Sequence, residues 1–380
     1  MKNVVILDPK GVISKGGNQV LDRHTRYADR LATATNGEYH LVVVTRTDEP
    51  TNELIIKNLT LIGLQIRWPN YLSFVTLAMK SLKNRNIEIF IVGDPWTPFL
   101  MAIALKILIC WQIPIQVQLH ADLFSSEWLE GGPRNKVKAY LAIPALFACD
   151  SIRFVSERQL LNSVQKLRWV ENKSFVSPVL LDFETIFPLK IERTNSDSIT
   201  LGVLGRIHKD RGLDLLIPLI APVIYIYPEI RLKIAGEGPY LAELEGEIKE
   251  AGLLKNVSFV GQVGGLQLSQ FWMEIDILIS LAPSESFGRS IREALVAGVP
   301  VWATPSSGVK ELLEIAKDGE IYLIDISMPP LAQLSLIKLM ALSTVTDETK
   351  DAIRFENEQA LQNLILSWVN RGREKIERGN

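Results

Sequence analysis

The chain has 380 residues, more than one hydrophobic core comfortably serves, so two domains are expected. Hydrophobic residues make up 47%, charged residues 22%, and the formal net charge is −2, a globular balance that excludes general attraction to nucleic acid. The two cysteines, Cys110 and Cys149, lie in apolar helix-like stretches without a CxxC or Cys/His cluster, which predicts two buried thiols in a reducing compartment and no zinc site.

In chain order, MKNVVILDPKG is too short an apolar segment for a signal peptide and predicts a first strand, hence a cytoplasmic protein. GVISKGGN, Gly11 to Asn18, follows that strand and precedes a helix. It is not GxGxxG, and no acidic residue stands where a dinucleotide ribose needs one, which argues against a nicotinamide dehydrogenase. Strands are expected at NVVILD, HLVVVT, IEIFIVG, IPIQVQL, SIRFVS and SFVSPV, with helical patterns such as QVLDRHTRYADRLAT and LSFVTLAMKSLK between them. That alternation predicts a parallel sheet with helices on both faces. Phe99 to Trp111, interrupted by Lys106, falls short of a membrane span and predicts a buried helix. His120 ends the strand IPIQVQL at an edge where a ligand could enter. Trp128, Arg134, Lys136, Lys138 and Tyr140 read either as a solvated helix with snorkelling side chains or as a surface for an anionic membrane.

Around Phe187 to Ser198 the apolar pattern lapses, which predicts a linker between residues 1–190 and a second domain, 191–350. That domain alternates again: ITLGVLG, RLKIAGEG, VSFVGQV, DILISLA, VPVWAT and EIYLID are its expected strands. A final amphipathic segment, about Asp351 to Arg373, predicts a long helix within 351–380.

Two loops of the second domain carry chemistry. After ITLGVLG comes Gly205-Arg206-Ile207-His208-Lys209-Asp210-Arg211-Gly212, in which Arg206 and Arg211 could converge on a diphosphate. After DILISLA comes a polar turn with Glu285, Phe287 and Gly288, and then a helix expected from Ser290 to Ala297 with Glu293 about one turn inside it. The helix N-terminus suits phosphate, and the two carboxylates suit the hydroxyl pairs of a ribose or hexose. The alternative for each glutamate alone is a solvated acid at a helix start.

The spacing Glu285-SFGRSIR-Glu293 places seven residues between the glutamates, and EALVAGVPV and Ser307-Gly308-Val309-Lys310-Glu311 follow. This resembles the retaining glycosyltransferases of family 4. The resemblance implies a GT-B architecture, α/β, with two Rossmann-like domains facing across a cleft and the C-terminal helix packing back on the first. It implies that Gly16 and Gly17 form an acceptor-side loop near the donor diphosphate, that His120 lies near the donor sugar, and that Gly205 and Gly236 belong to donor-binding turns. It assigns a Gly-containing turn to 307–311. Arg211 departs from the lysine usual at its position.

The implied reaction is retaining, metal-independent transfer of a sugar from a nucleoside-diphosphate donor to a hydroxyl of a glycan, lipid-linked or small-molecule acceptor, with no cofactor. Peripheral contact with the inner membrane face accompanies the lipid-linked case. A sugar-nucleotide epimerase, a phosphorylase or a non-catalytic nucleotide-sugar-binding partner subunit stays open beside it.

Overall fold

The computed structural model describes residues 1–15, 17–67, 70–181, 183 and 198–377. The chain divides into two compact units: unit 1 is Met1–Leu180 with Glu358–Asn380, and unit 2 is Leu181–Asn357. Gly16 and residues 187–197 of the expected linker lie outside the described residues.

Unit 1 is built on β1 (Lys2–Asp8), β2 (Tyr39–Thr47), β3 (Asn52–Ile56), β4 (Leu59–Gln65), β5 (Asn86–Val92), β6 (Ile115–Leu119), β7 (Ser151–Phe154) and β8 (Ser174–Val176). They form one sheet ordered β3-β4-β2-β1-β5-β6-β7-β8, parallel throughout except for the β3–β4 pair. Alternate residues feed two cores, as the period of two requires. Val5, Leu7, Val42, Val44, Phe90 and Val92 face the helices Tyr71–Leu82, Thr97–Ile109 and Pro133–Ala148. Val4, Leu41, Val43, Ile89 and Ile91 face the helix Gly17–Ala34 and the terminal helix Asp347–Glu377, which contributes Leu364, Ile365 and Trp368. Trp368 donates its indole N–H to Gln116 at 3.1 Å and meets Tyr27 edge-on, so the terminal helix is fixed in unit 1 by a polar as well as an apolar anchor.

Unit 2 contains β9 (Thr200–Leu204), β10 (Arg231–Ala235), β11 (Val257–Gly261), β12 (Ile277–Ser280), β13 (Val301–Ala303) and β14 (Ile321–Leu323). Their order, β11-β10-β9-β12-β13-β14, is the doubly wound Rossmann order, all parallel. Leu201, Val203, Leu232, Ile234, Ile277, Ile279 and Trp302 form its core with helices Leu216–Ile226 and Pro330–Ala341.

Three local expectations change. Phe99 to Trp111 is not a buried helix: Phe99, Met101, Ala102 and Leu105 face the core, but Leu100, Ile107, Leu108 and Trp111 are exposed. Cys110 is exposed at the end of that helix, beside a turn whose Trp111 and Gln112 are exposed too, whereas Cys149 is buried. The hairpin β3–β4 also went unforeseen. Its turn residue Lys57 takes a left-handed φ of 50° without the glycine that usually marks such turns, and β3 is an exposed edge strand.

Candidate functional site

The strand order of unit 2 reverses between β9 and β12, and open α/β sheets bind ligands beyond the carboxyl ends of strands at that point. The ladder there registers only Ile277 with Leu201 and Leu278 with Gly202. Beyond it both strands run into loops, Gly205–Gly212 from β9 and Leu281–Gly288 from β12. These are the two loops singled out from sequence.

Sterics fix how they meet. Gly212 has φ +66°, and a Cβ on it would stand 2.2 Å from the Leu281 carbonyl oxygen, so the first loop touches the end of β12 only because the residue is glycine. Behind the first loop, Gly236 lies so close that its Cβ would meet the Gly205 carbonyl at 1.8 Å, and the Ile207 N–H donates to the Glu237 carbonyl at 2.9 Å. Gly205 and Gly236 are thus backbone packing partners. The second loop rests on Gly308, whose N–H donates to the Glu285 carbonyl at 2.7 Å. Here 307–311 is not a turn. Ser306 accepts the Val309 N–H as N-cap and starts a helix, Ser307–Leu312.

The charged side chains pair across the switch. Arg211 donates to the Glu285 carboxylate, both side chains being less than a third exposed. Arg206 points to Asp210 at 3.5 Å and is exposed. The structure therefore joins Arg211 to Glu285 and leaves Arg206 on the solvent side of the same loop.

The helix after Gly288 runs Arg289–Val296, one residue earlier than expected, with Gly288 as N-cap at φ +74°. Phe287 is buried beside it. Glu293 is only 3% exposed and accepts from Arg289 one turn earlier at 2.8 Å.

One residue of this site escaped the sequence reading. Arg292 is completely buried, forks onto Glu356 with two 3.0 Å bonds, donates to the Phe287 carbonyl and lies 3.8 Å from the centre of the Phe287 ring. It clamps the loop backbone between Glu285 and Gly288 to the terminal helix. In S-I-R-E-A it reads as a solvent-facing cation, and its partner is 64 residues away.

On unit 1, Gly17 opens the helix Gly17–Ala34. His120 follows β6 and lines a cavity of about 350 Å³ with Asp8, Lys10, Arg23, His24 and Arg153. The surrounding walls, then the Arg153 and Arg23 guanidiniums, lower its pKa below the ordinary imidazole value. The residue is nonetheless exposed to solvent, which moderates the desolvation part of that shift.

Comparison with known proteins places this geometry. Residues 188–328 match the family model of glycosyl transferases group 1. A phosphatidylinositol N-acetylglucosaminyltransferase subunit from Arabidopsis thaliana is 28% identical over 179 residues, 47% of this chain and 39% of that protein. The matched stretches cover only 26% to 39% of the length of the first two curated relatives. The fold matches sucrose-phosphate synthase from Thermosynechococcus elongatus with a TM-score of 0.72 at 16% identity, covering 99% of each chain. It also matches Anabaena HepE, solved in complex with UDP-glucose, with a TM-score of 0.67 at 16% identity, covering 95% of this chain and 99% of that one.

Proposed function

Starting from a chain that carries a group 1 glycosyltransferase domain on a GT-B fold, we propose that it transfers a sugar from a nucleoside-diphosphate donor to a hydroxyl of its acceptor, with retention at the anomeric carbon and without a metal. The observation that carries the reading is the meeting of Arg211 and Glu285 at the switch point, beside the helix that buries Glu293.

In the donor complex the Arg211 fork shares itself between Glu285 and the diphosphate, with Arg206 adding charge from the same loop. The N-terminus of the helix Arg289–Val296 adds N–H groups on the other side. Glu285 and Glu293 accept hydroxyls. The bond from the anomeric carbon to the phosphate oxygen breaks as the acceptor oxygen bonds to the same face, and the departing phosphate takes the acceptor proton. Arg211 stabilises charge that grows on that phosphate, so its contribution rises toward the transition state. We also propose that His120, Gly16 and Gly17 take part in the reaction, as the resemblance implies.

The test is a thermal-shift series with UDP, GDP, ADP and their sugar conjugates, with and without EDTA, followed by incubation of the stabilising sugar nucleotide with and without acceptors. Conversion of the donor to an isomer with no acceptor present would move the chain to the epimerase reading. Binding without turnover on any acceptor would favour the non-catalytic reading.

A second proposal concerns the acceptor. Leu100, Ile107 and Leu108 on one helix, Trp111 in the turn after it, and Val137, Tyr140, Leu141 and Phe147 on another helix are exposed. The two helices pack on one core and join where the Trp96 indole donates to the Lys138 carbonyl. Arg134, Lys136 and Lys138 accompany this apolar surface. Among the described residues no helix is long and apolar enough to cross a membrane. The combination supports shallow docking on an anionic bilayer and a lipid-linked acceptor.

A further inference from the structure

The hairpin β3–β4 leaves a bonding surface open at the edge of unit 1. β3 is the outermost strand of the sheet and pairs antiparallel with β4 from Asn52 against Gly63 to Ile56 against Leu59. Edge strands are ordinarily guarded by proline, a bulge, an unpaired charge or a covering element. Residues 52–56 contain no proline, their pairing has no bulge, and all but Ile56 are exposed. The one charge on the strand, Glu53, is taken by Arg85 at 2.5 Å. Leu54 and Ile55 are 48% and 67% exposed and belong to neither core of unit 1, so the fold of a single copy does not account for their apolar side chains.

Hairpin geometry identifies the open backbone groups. Lys57 and Asn58 are the turn, which makes Ile56 and Leu59 its flanking pair, the one that exchanges hydrogen bonds across a two-residue hairpin. Bonded pairs alternate along the ladder, so Leu54 and Asn52 also bond toward β4, while Glu53 and Ile55 turn their N–H and C=O groups outward. Among the described residues nothing bonds to those outward groups. The strand is held ready at both ends: Asn58 donates to Asp29 of the helix Gly17–Ala34 at 2.8 Å, and the Gln65 N–H donates to the Thr51 hydroxyl at 2.9 Å.

We propose that β3 pairs antiparallel with β3 of a second copy of this chain, on a two-fold axis through Ile55. The strand is complementary to itself, as a two-fold contact requires. This register sets Ile55 against Ile55, Leu54 against Ile56 and Glu53 against Lys57, joining β-branched residues at the centre and opposite charges at the ends. Glu53 then lies between its own Arg85 and the second copy's Lys57. Lys57 is 72% exposed and only loosely paired with Asp29 at 3.9 Å, so its ammonium can cross to the incoming strand. An axis through Leu54 instead would set Glu53 against Ile55 and Lys57 against Thr51, with no charge paired. One short strand per copy is a small contact, so the dimer is reversible and depends on concentration.

Sedimentation velocity of the full-length protein between about 10 μM and about 1 mM reads the association. The expected result is a monomer–dimer equilibrium. Ile55→Lys, which sets two cations on the axis, should weaken it about tenfold or more, and Lys57→Glu, which faces Glu53 with a like charge, should weaken it as well. Both positions are exposed, so unchanged melting temperatures would show that the variants still fold. Leu108→Asp, on the helix Thr97–Ile109, should leave the dimer intact. Oxidative cross-linking in a Cys110→Ser background checks the register. Ile55→Cys faces its own copy at about 5.5 Å between Cα atoms, within disulfide reach, and should cross-link. Leu54→Cys, about 7–8 Å from its copy on the diagonal, should not. A monomer throughout the range, a dimer that Ile55→Lys leaves unweakened, a dimer lost in Leu108→Asp, or cross-linking by Leu54→Cys and not by Ile55→Cys would each overturn the proposal.

Discussion

At the scale of single residues, the question is which charges are held for a ligand and which hold the fold. Glu293 is buried and ion-paired with Arg289. Replacement by Gln keeps its volume, so Glu293→Gln should fold normally and weaken binding of a nucleotide sugar about tenfold or more, while binding of the nucleotide alone changes less. Comparative titrations of the two ligands would check this. Arg211→Ala removes the partner of a partly exposed pair and should cost about 1 kcal/mol of stability or less, but abolish nearly all turnover. His24 gives a pH signature. Burial lowers its pKa from 6.5 to about 4 in the folded chain. Between those values the unfolded chain binds more protons, so His24 penalises folding progressively as pH falls from 6.5 toward 4 and not above. Melting temperatures across that window should fall with acidity, and His24→Gln should flatten the slope.

At the scale of elements, the loops of unit 2 were legible because their signals are local. Turn residues, an N-terminal glycine and two acids at fixed spacing announce a strand, a loop and a helix, and the structure places that helix within one residue. Arg292 was not legible because its burial depends on Glu356, which the fold alone brings near. The exposed face of Thr97–Ile109 was opaque for the converse reason: apolar residues all round a helix predict burial, and only neighbours decide which side is covered. Breaking the buried fork by Arg292→Met or Glu356→Gln should cost about 3 kcal/mol, whereas Arg292→Met combined with Glu356→Leu should recover much of it. Urea unfolding of the three variants measures this. If the clamp also fixes the Glu285 loop, the double variant should fold well yet keep a raised KM for the donor.

At the scale of the whole molecule, each unit has its own switch point. That of unit 2 joins Arg211 to Glu285, and that of unit 1 gathers Arg23, Arg153 and His120. The terminal helix contributes residues to both units, with Arg292 held by Glu356 in one and Gln116 by Trp368 in the other. Trp368→Ala should therefore destabilise unit 1 by about 3–5 kcal/mol. The exposed apolar helices predict co-sedimentation with vesicles containing anionic lipid, reduced by Leu108→Asp or Tyr140→Asp and by high salt. Binding that ignores lipid charge would remove the membrane proposal.

The most direct test of the central claim is calorimetric titration of nucleoside-diphosphate sugars into the wild-type chain and Glu293→Gln, each in EDTA. The account predicts that one nucleotide sugar binds the wild type without metal and loses about tenfold or more in the variant. Equal binding by both proteins, or none by the wild type, would contradict a donor site built on the Glu285–Glu293 loop and helix.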